Sequence, residues 1–121
     1  MERKTFPASR PVMLNTGDQL VRFDPNELSY LEADRVYCNL YMADGVTHYQ
    51  VCHPMGHMEK VLDKACFVRI SRSYIVNIWH IQRKMSNLLF VDGRRQALQI
   101  TDSYSHALDD RFLIIGLTGQ K

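Results

Sequence analysis

No stretch of this chain approaches the ~18 consecutive apolar residues of a membrane span, and no apolar signal core follows its start. The expectation is a soluble, cytoplasmic protein with no membrane partner. Cysteine is scarce: Cys38, Cys52 and Cys66 are widely spaced and odd in number. That excludes a disulfide framework and fits a reducing compartment. The sequence holds no Cys-x-x-Cys pair, no P-loop, no dinucleotide fingerprint and no Gly-x-Ser-x-Gly turn. Its carboxylates are scattered rather than paired, and its five histidines stand apart from any activated nucleophile. No catalytic residue and no cofactor is expected, so the chain reads as a non-enzyme. A large excess of one charge is also missing, since the net charge is only +2.

What is present is a 121-residue chain, 45% hydrophobic, enough to bury one core. Met1–Pro11, with two prolines and no period, reads as a flexible tail or linker remnant, and 12–121 as one domain. Strands are expected at Val12–Asn15, Gln19–Phe23 and Glu27–Glu32, with a polar loop at Ala33–Val36. Tyr37–Met42 and Thr47–Cys52 form a hairpin around Asp44-Gly45. Met55, Met58, Leu62 and Ala65 recur at helical spacing, which predicts an amphipathic helix over Pro54–Ala65. Trp79–Ile81 reads as extended, and Arg83-Lys84 as a basic turn. Leu88–Val91 and Arg95–Ile100 form a second hairpin around Asp92-Gly93. Thr101 is placed to cap a closing helix over Asp102–Phe112, with an apolar end at Leu113–Leu117 packed on the body. Short strands and tight connections imply a mainly β protein with antiparallel sheets.

Between Arg69 and Ile100 stand six basic residues and one acid, a net of +5, which leaves −3 for the rest of the chain. A basic segment on an acidic body is expected where one face meets phosphates, although ordinary solvated charges give the same count. Cys52-His53-x3-His57 has suitable ligand types for a metal, and Cys38 or Cys66 could join. A structural zinc site wants four ligands in two close pairs, so no metal is expected.

Phe67–Asn77 organises the rest. It reads Phe-Val-Arg-Ile-Ser-Arg-Ser-Tyr-Ile-Val-Asn, two β-type runs around the polar step Ser71-Arg72-Ser73. Two hydroxyls and a guanidinium suit phosphate oxygens, and Arg can also read a guanine edge with two bonds. Tyr30-Leu31-Glu32-Ala33 with Tyr37 precedes this stretch, and Leu98–Tyr104 follows it. In that order, from about Gly17 to about Ile115, these motifs resemble the LytTR-type (LytR/AgrA) DNA-binding domain.

The resemblance implies an elongated stack of small antiparallel sheets with one amphipathic helix and a short C-terminal helix. It implies a bacterial transcriptional regulator, a stand-alone version or a fragment cut from behind a receiver or sensor domain, as in two-component response regulators. The partner would be double-stranded DNA, bound sequence-specifically, with a second copy on direct repeats. Three inter-strand loops would enter successive major grooves. In the first, Asp34–Asn39, Arg35 reaches phosphate, and Tyr37 and Asn39 donate to phosphate or read a base edge. Cys38 stands where some members carry a base-reading His. In the second, Ser71 replaces the usual His, and Arg72 and Ser73 follow, with Arg72 the leading contact. In the third, Thr101–Tyr104, Asp102 and Ser103 face DNA, and Asp102 stands where Arg is common. A carboxylate there can accept from a cytosine amino group but is repelled by phosphates. Blander roles compete: an ion pair for Arg72, hairpin packing for Tyr37 and Asn39, helix capping for Asp102. A protein-interaction module that keeps the fold without tight DNA binding is the alternative, motivated by Asp102 and by an exposed Met-rich helix.

Overall fold

The computed structural model describes residues 11–116. The tail expected at Met1–Pro11 lies outside the described residues except for Pro11, and so does Leu117 at the apolar end. Strands β1 (Val12–Asn15) and β2 (Leu20–Phe23) form a hairpin in register Val12 to Phe23. Strands β3 (Leu28–Asp34), β4 (Tyr37–Met42), β5 (His48–Val51), β6 (Phe67–Arg69) and β7 (Tyr74–Asn77) form one antiparallel sheet in the order β5-β4-β3-β7-β6. Strands β8 (Ile81–Met85), β9 (Leu88–Val91) and β10 (Leu98–Gln99) form a third sheet. Helix α1 (Met55–Val61) connects β5 to β6. No helix among the described residues is long and apolar enough to cross a membrane.

The five-stranded sheet is buried on both faces. One face packs under β1–β2 and α1 with Leu14, Phe23, Leu31, Leu40, Met55, Met58, Phe67 and Ile75. The other packs on the third sheet with Tyr30, Val68, Val76, Leu89, Val91 and Leu98. Adjacent residues on β6 and β7 therefore serve different cores, as the two-residue period of a strand requires. Strand β3 departs from that period. A bulge between Leu28 and Tyr30 makes Ser29 the extra residue, so Leu28 and Leu31 both reach the first core while Tyr30 faces the second.

Two polar links, from Ser29 to Asp92 and from His80 to Asn26, and one close backbone approach tie the third sheet to the middle one. The Ser29 hydroxyl donates to the Asp92 carbonyl at 2.7 Å. Buried His80 has Nδ1 2.7 Å from Asp92 Oδ2 and Nε2 2.6 Å from the Asn26 carbonyl. Within the middle sheet, Asn77 Nδ2 donates to the Leu28 carbonyl at 3.0 Å. Burial opposes the Asp92 charge, but the bonds from His80 and Gln82 outweigh it and hold the carboxyl below its usual range. The Asp44-Gly45 and Asp92-Gly93 turns meet back to back. A Cβ on Gly93 would stand 2.9 Å from the Met42 carbonyl and 3.0 Å from the Gly45 nitrogen.

The expected strands are present with shifted ends, and several expected details are corrected. Ala33 and Asp34 belong to β3, so the polar loop shrinks to a two-residue turn, Arg35-Val36. The helix stops at Val61, and buried Cys66, not Ala65, continues the apolar side. Ile78–His80 is a single 3-10 turn rather than extended chain, because Asn77 Oδ1 accepts from the Trp79 N–H. Arg83-Lys84 lies within β8, and the turn falls at Ser86-Asn87. The closing helix is one 3-10 turn, Asp102–Tyr104, followed by further tight turns. Its backbone bonds, from Ser105 to Asp102, Ala107 to Tyr104, Asp109 to His106 and Arg111 to Leu108, each span three residues. Ser and Asp are poorer helix formers than Ala or Leu, and Asp110 has φ +63°. Leu113, Ile114 and Ile115 are exposed, not packed on the body.

Candidate nucleic-acid interface

The Ser71–Ser73 loop is shaped from inside. Ser71 is buried, and its Oγ accepts from the N–H groups of Ser73 (3.2 Å) and Tyr74 (3.1 Å). The Ile70 N–H closes the hairpin on the Tyr74 carbonyl at 3.0 Å. Arg69 reaches under the loop. Its Nε donates to the Ser71 carbonyl (3.1 Å) and its Nη2 to the Arg72 carbonyl (2.6 Å), while Nη1 meets Glu59 Oε1 at 3.0 Å. Arg72 and Ser73 project outward and are exposed. Among the described residues Arg72 forms no ion pair.

The third segment lies against this loop. The Thr101 N–H donates to the Ile70 carbonyl at 3.1 Å, and the Ile100 N–H to Asn87 at 2.7 Å. Between the two loops runs an open cleft of about 460 Å³, walled by Arg72, Ser73, Tyr74, Gln99, Thr101 and Ser103 among others. Asp102 and Ser103 are exposed. Thr101 occupies the cap position of the short turn without a side-chain capping bond. Asp102 makes no side-chain bond among the described residues, so its expected capping role has no helix to serve.

The first loop joins the second from the other side. Glu32 on β3 pairs with Tyr74, and the Ala33 N–H donates to the Ser73 carbonyl at 2.8 Å. Arg35 sits at the tip with φ +61°, a left-handed conformation that costs a non-glycine residue about 1 kcal/mol. Arg35 and Tyr37 are exposed, and Asn39 is half-buried with its Oδ1 accepting from Gln50 at 3.0 Å. Cys38 points the other way. It is wholly buried with Sγ 3.8 Å from Met55 Sδ, and burial pushes its thiol up to about 12. Strand alternation makes this side chain part of the core, not of a reading surface.

Beside the loops lies a tyrosine cluster. Tyr30 stacks on Tyr41 at 4.8 Å, and Glu32 accepts from the hydroxyls of Tyr41 (3.1 Å) and Tyr74 (2.9 Å). Burial first, and the Glu32 bond next, push Tyr41 up to about 12 and raise Tyr74. Arg94 covers the cluster, 5.5 Å from the Tyr30 ring and 5.7 Å from Tyr74. The basic segment is therefore not one face. Arg69 and Arg94 are tied to the body, Arg83 lies over the Phe90 ring at 3.9 Å, and Lys84 bonds the Ser86 carbonyl. Tyr74, Gln99 and Tyr104 also line the cleft, beyond the residues expected to contact DNA. Gln99 was readable, since it alternates with buried Leu98 and Ile100.

The metal-ligand types at Cys52, His53 and His57 form no cluster of three or more among the described residues. Met55 and Met58 are buried, so the helix offers no methionine surface to a protein partner.

Residues 18–112 match the LytTr DNA-binding domain family. The CO-responsive transcriptional regulator RcoM of Rhodospirillum rubrum is 31% identical over 103 residues, covering 75% of this chain and 43% of that relative. The chain thus spans less than half the length of the relative it matches. A solved LytTr DNA-binding domain from Bacillus cereus superposes with a TM-score of 0.69 at 23% identity, covering 86% of this chain and 97% of that one.

Proposed function

Because the chain belongs to the LytTr DNA-binding domain family, we propose that it is a bacterial transcriptional regulator reading double-stranded DNA through its inter-strand loops. The observation that carries this reading is the junction of two loops at Thr101 and Ile70, with Arg72, which forms no ion pair among the described residues, on the rim of the cleft between them. A guanidinium with no internal partner keeps its fork for a phosphate or for guanine O6 and N7. Arg35, Ser73 and Ser103 add phosphate contacts, and Tyr37 and Asn39 reach a phosphate or a base edge. Asp102 selects a cytosine amino group, which sets this chain's target apart from sites read by Arg at that place. Ser71 works from within, by holding the loop's shape. The protein acts in the cytoplasm, as the output end of a response regulator, and binds as a pair on direct repeats.

Selection of bound fragments from a random DNA pool at roughly physiological salt tests this. An enriched repeated motif is expected, with log K falling steeply against log salt. Arg72→Ala should weaken binding to the enriched duplex by about 1–3 kcal/mol without lowering the melting temperature. A folded protein that enriches no sequence, or a flat salt dependence, overturns the reading.

A further inference from the structure

We propose that Arg69 is a positioning residue for DNA recognition and that Glu59, on helix α1, sets Arg69 in place. The proposal rests on the reading that the Ser71–Ser73 loop meets DNA. Arg69 belongs to β6, and its side chain is 19% exposed. All three of its nitrogens are engaged: Nε on the Ser71 carbonyl, Nη2 on the Arg72 carbonyl and Nη1 on Glu59. Little of the fork is left for a phosphate. Its work is to hold two successive peptide carbonyls inward, which fixes the direction in which Arg72 leaves the loop. The 2.6 Å bond to Arg72's own carbonyl is short, as expected when the donor carries full charge.

Glu59 completes a connected path. Met55 and Met58 anchor α1 in the first core. The helix carries Glu59 to Arg69, and Arg69 carries that placement to the loop. A guanidinium is suited to this, because its planar fork presents donors in fixed directions that a lysine lacks.

The path makes a prediction opposite in sign to simple electrostatics. Removing a carboxylate from a DNA-binding protein should tighten binding, since one repulsion of phosphate is lost. Here Glu59→Ala should weaken it, because Arg69 loses its outer anchor. Alanine is the best helix former, so the change keeps α1. Binding to a duplex enriched from the random pool is measured for Glu59→Ala, Glu59→Gln, Arg69→Met, Arg72→Ala and the Arg69/Arg72 double variant. Glu59→Ala is expected to raise Kd about 3- to 10-fold, the scale of one lost charge-assisted bond. Glu59→Gln, which keeps an acceptor oxygen, should recover most of the affinity. Arg69→Met should weaken binding in the wild-type background and add little once Arg72 is alanine. Binding by Glu59→Ala as tight as wild type or tighter overturns the proposal, and so does full additivity of Arg69→Met with Arg72→Ala. Arg72→Ala alone keeps the two readings apart. If it leaves Kd unchanged, the loop is not in the interface. If it weakens binding while Glu59→Ala does not, the loop is in the interface and the positioning path is wrong.

Discussion

The Ser71–Ser73 loop and the segment from Thr101 to Ile115 border the same cleft but are held in opposite ways. The first is braced by polar bonds from below: two to the Ser71 hydroxyl and two from Arg69. The second is a run of three-residue turns whose exposed tips follow one another. Leu108 is its buried plug in the second core, with Tyr104 and Ala107 packed beside it, and Arg111 ties its end to the Lys64 carbonyl at 2.8 Å. A loop braced by directional bonds presents a set geometry before any partner arrives. A segment held chiefly by non-directional apolar contacts keeps more freedom and gives up more entropy on binding. Two walls of one cleft thus bring different properties, precision on one side and adaptability on the other.

The comparison can be broken at either wall. Leu108→Ala is expected to have the largest effect, about 2–3 kcal/mol of stability by urea titration, because it removes the plug and opens a cavity. The loss should be accompanied by rapid amide exchange across 102–111 and little change at 71–74. Equal exchange in both regions would mean that they are held alike. Ser71→Ala comes next. It leaves two backbone N–H groups without their acceptor and should destabilise by about 1–2 kcal/mol. Amide exchange at Ser73 and Tyr74 should speed up, and protected amides there would show that the hydroxyl is not the brace. Thr101→Ala should have the smallest effect, below about 0.5 kcal/mol, since its hydroxyl makes no capping bond. A larger loss in thermal melting would mean that the segment is more rigidly started than its bonds imply.

The strands were legible because β-branched and aromatic runs alternate around Asp-Gly turns, and the helix because its methionines recur at helical spacing. What escaped was set by contacts distant in sequence. Cys38 reads as a surface position by its place in the first loop, yet alternation on β4 turns it onto Met55. Arg69 and Arg72 look equivalent as charges, and only the bonds of Arg69 to the Ser71 and Arg72 carbonyls and to Glu59 separate the half-buried brace from the exposed neighbour. The +5 count over 69–100 could not show that Arg94 lies over tyrosines and Arg83 over Phe90. The closing helix failed because three-residue bonds won over four-residue ones in a Ser- and Asp-rich segment. The family's motifs marked the segments around Arg35, Arg72 and Asp102, but not which side chains point outward, nor that Asp34 and residues 37–39 are strand.

Ser29, the extra residue in β3, also bears on how such a domain can change over generations. Strand β3 supplies two cores at once, and a residue gained or lost downstream of the bulge would turn Leu31 and Ala33 to the face of Tyr30 and Glu32. Both cores would fail together. The length of β3 is therefore tied to both cores, while the exposed tips at Arg35, Arg72 and Asp102 bear on neither. Side chains on those tips can be exchanged one at a time on a frame whose residue count stays fixed.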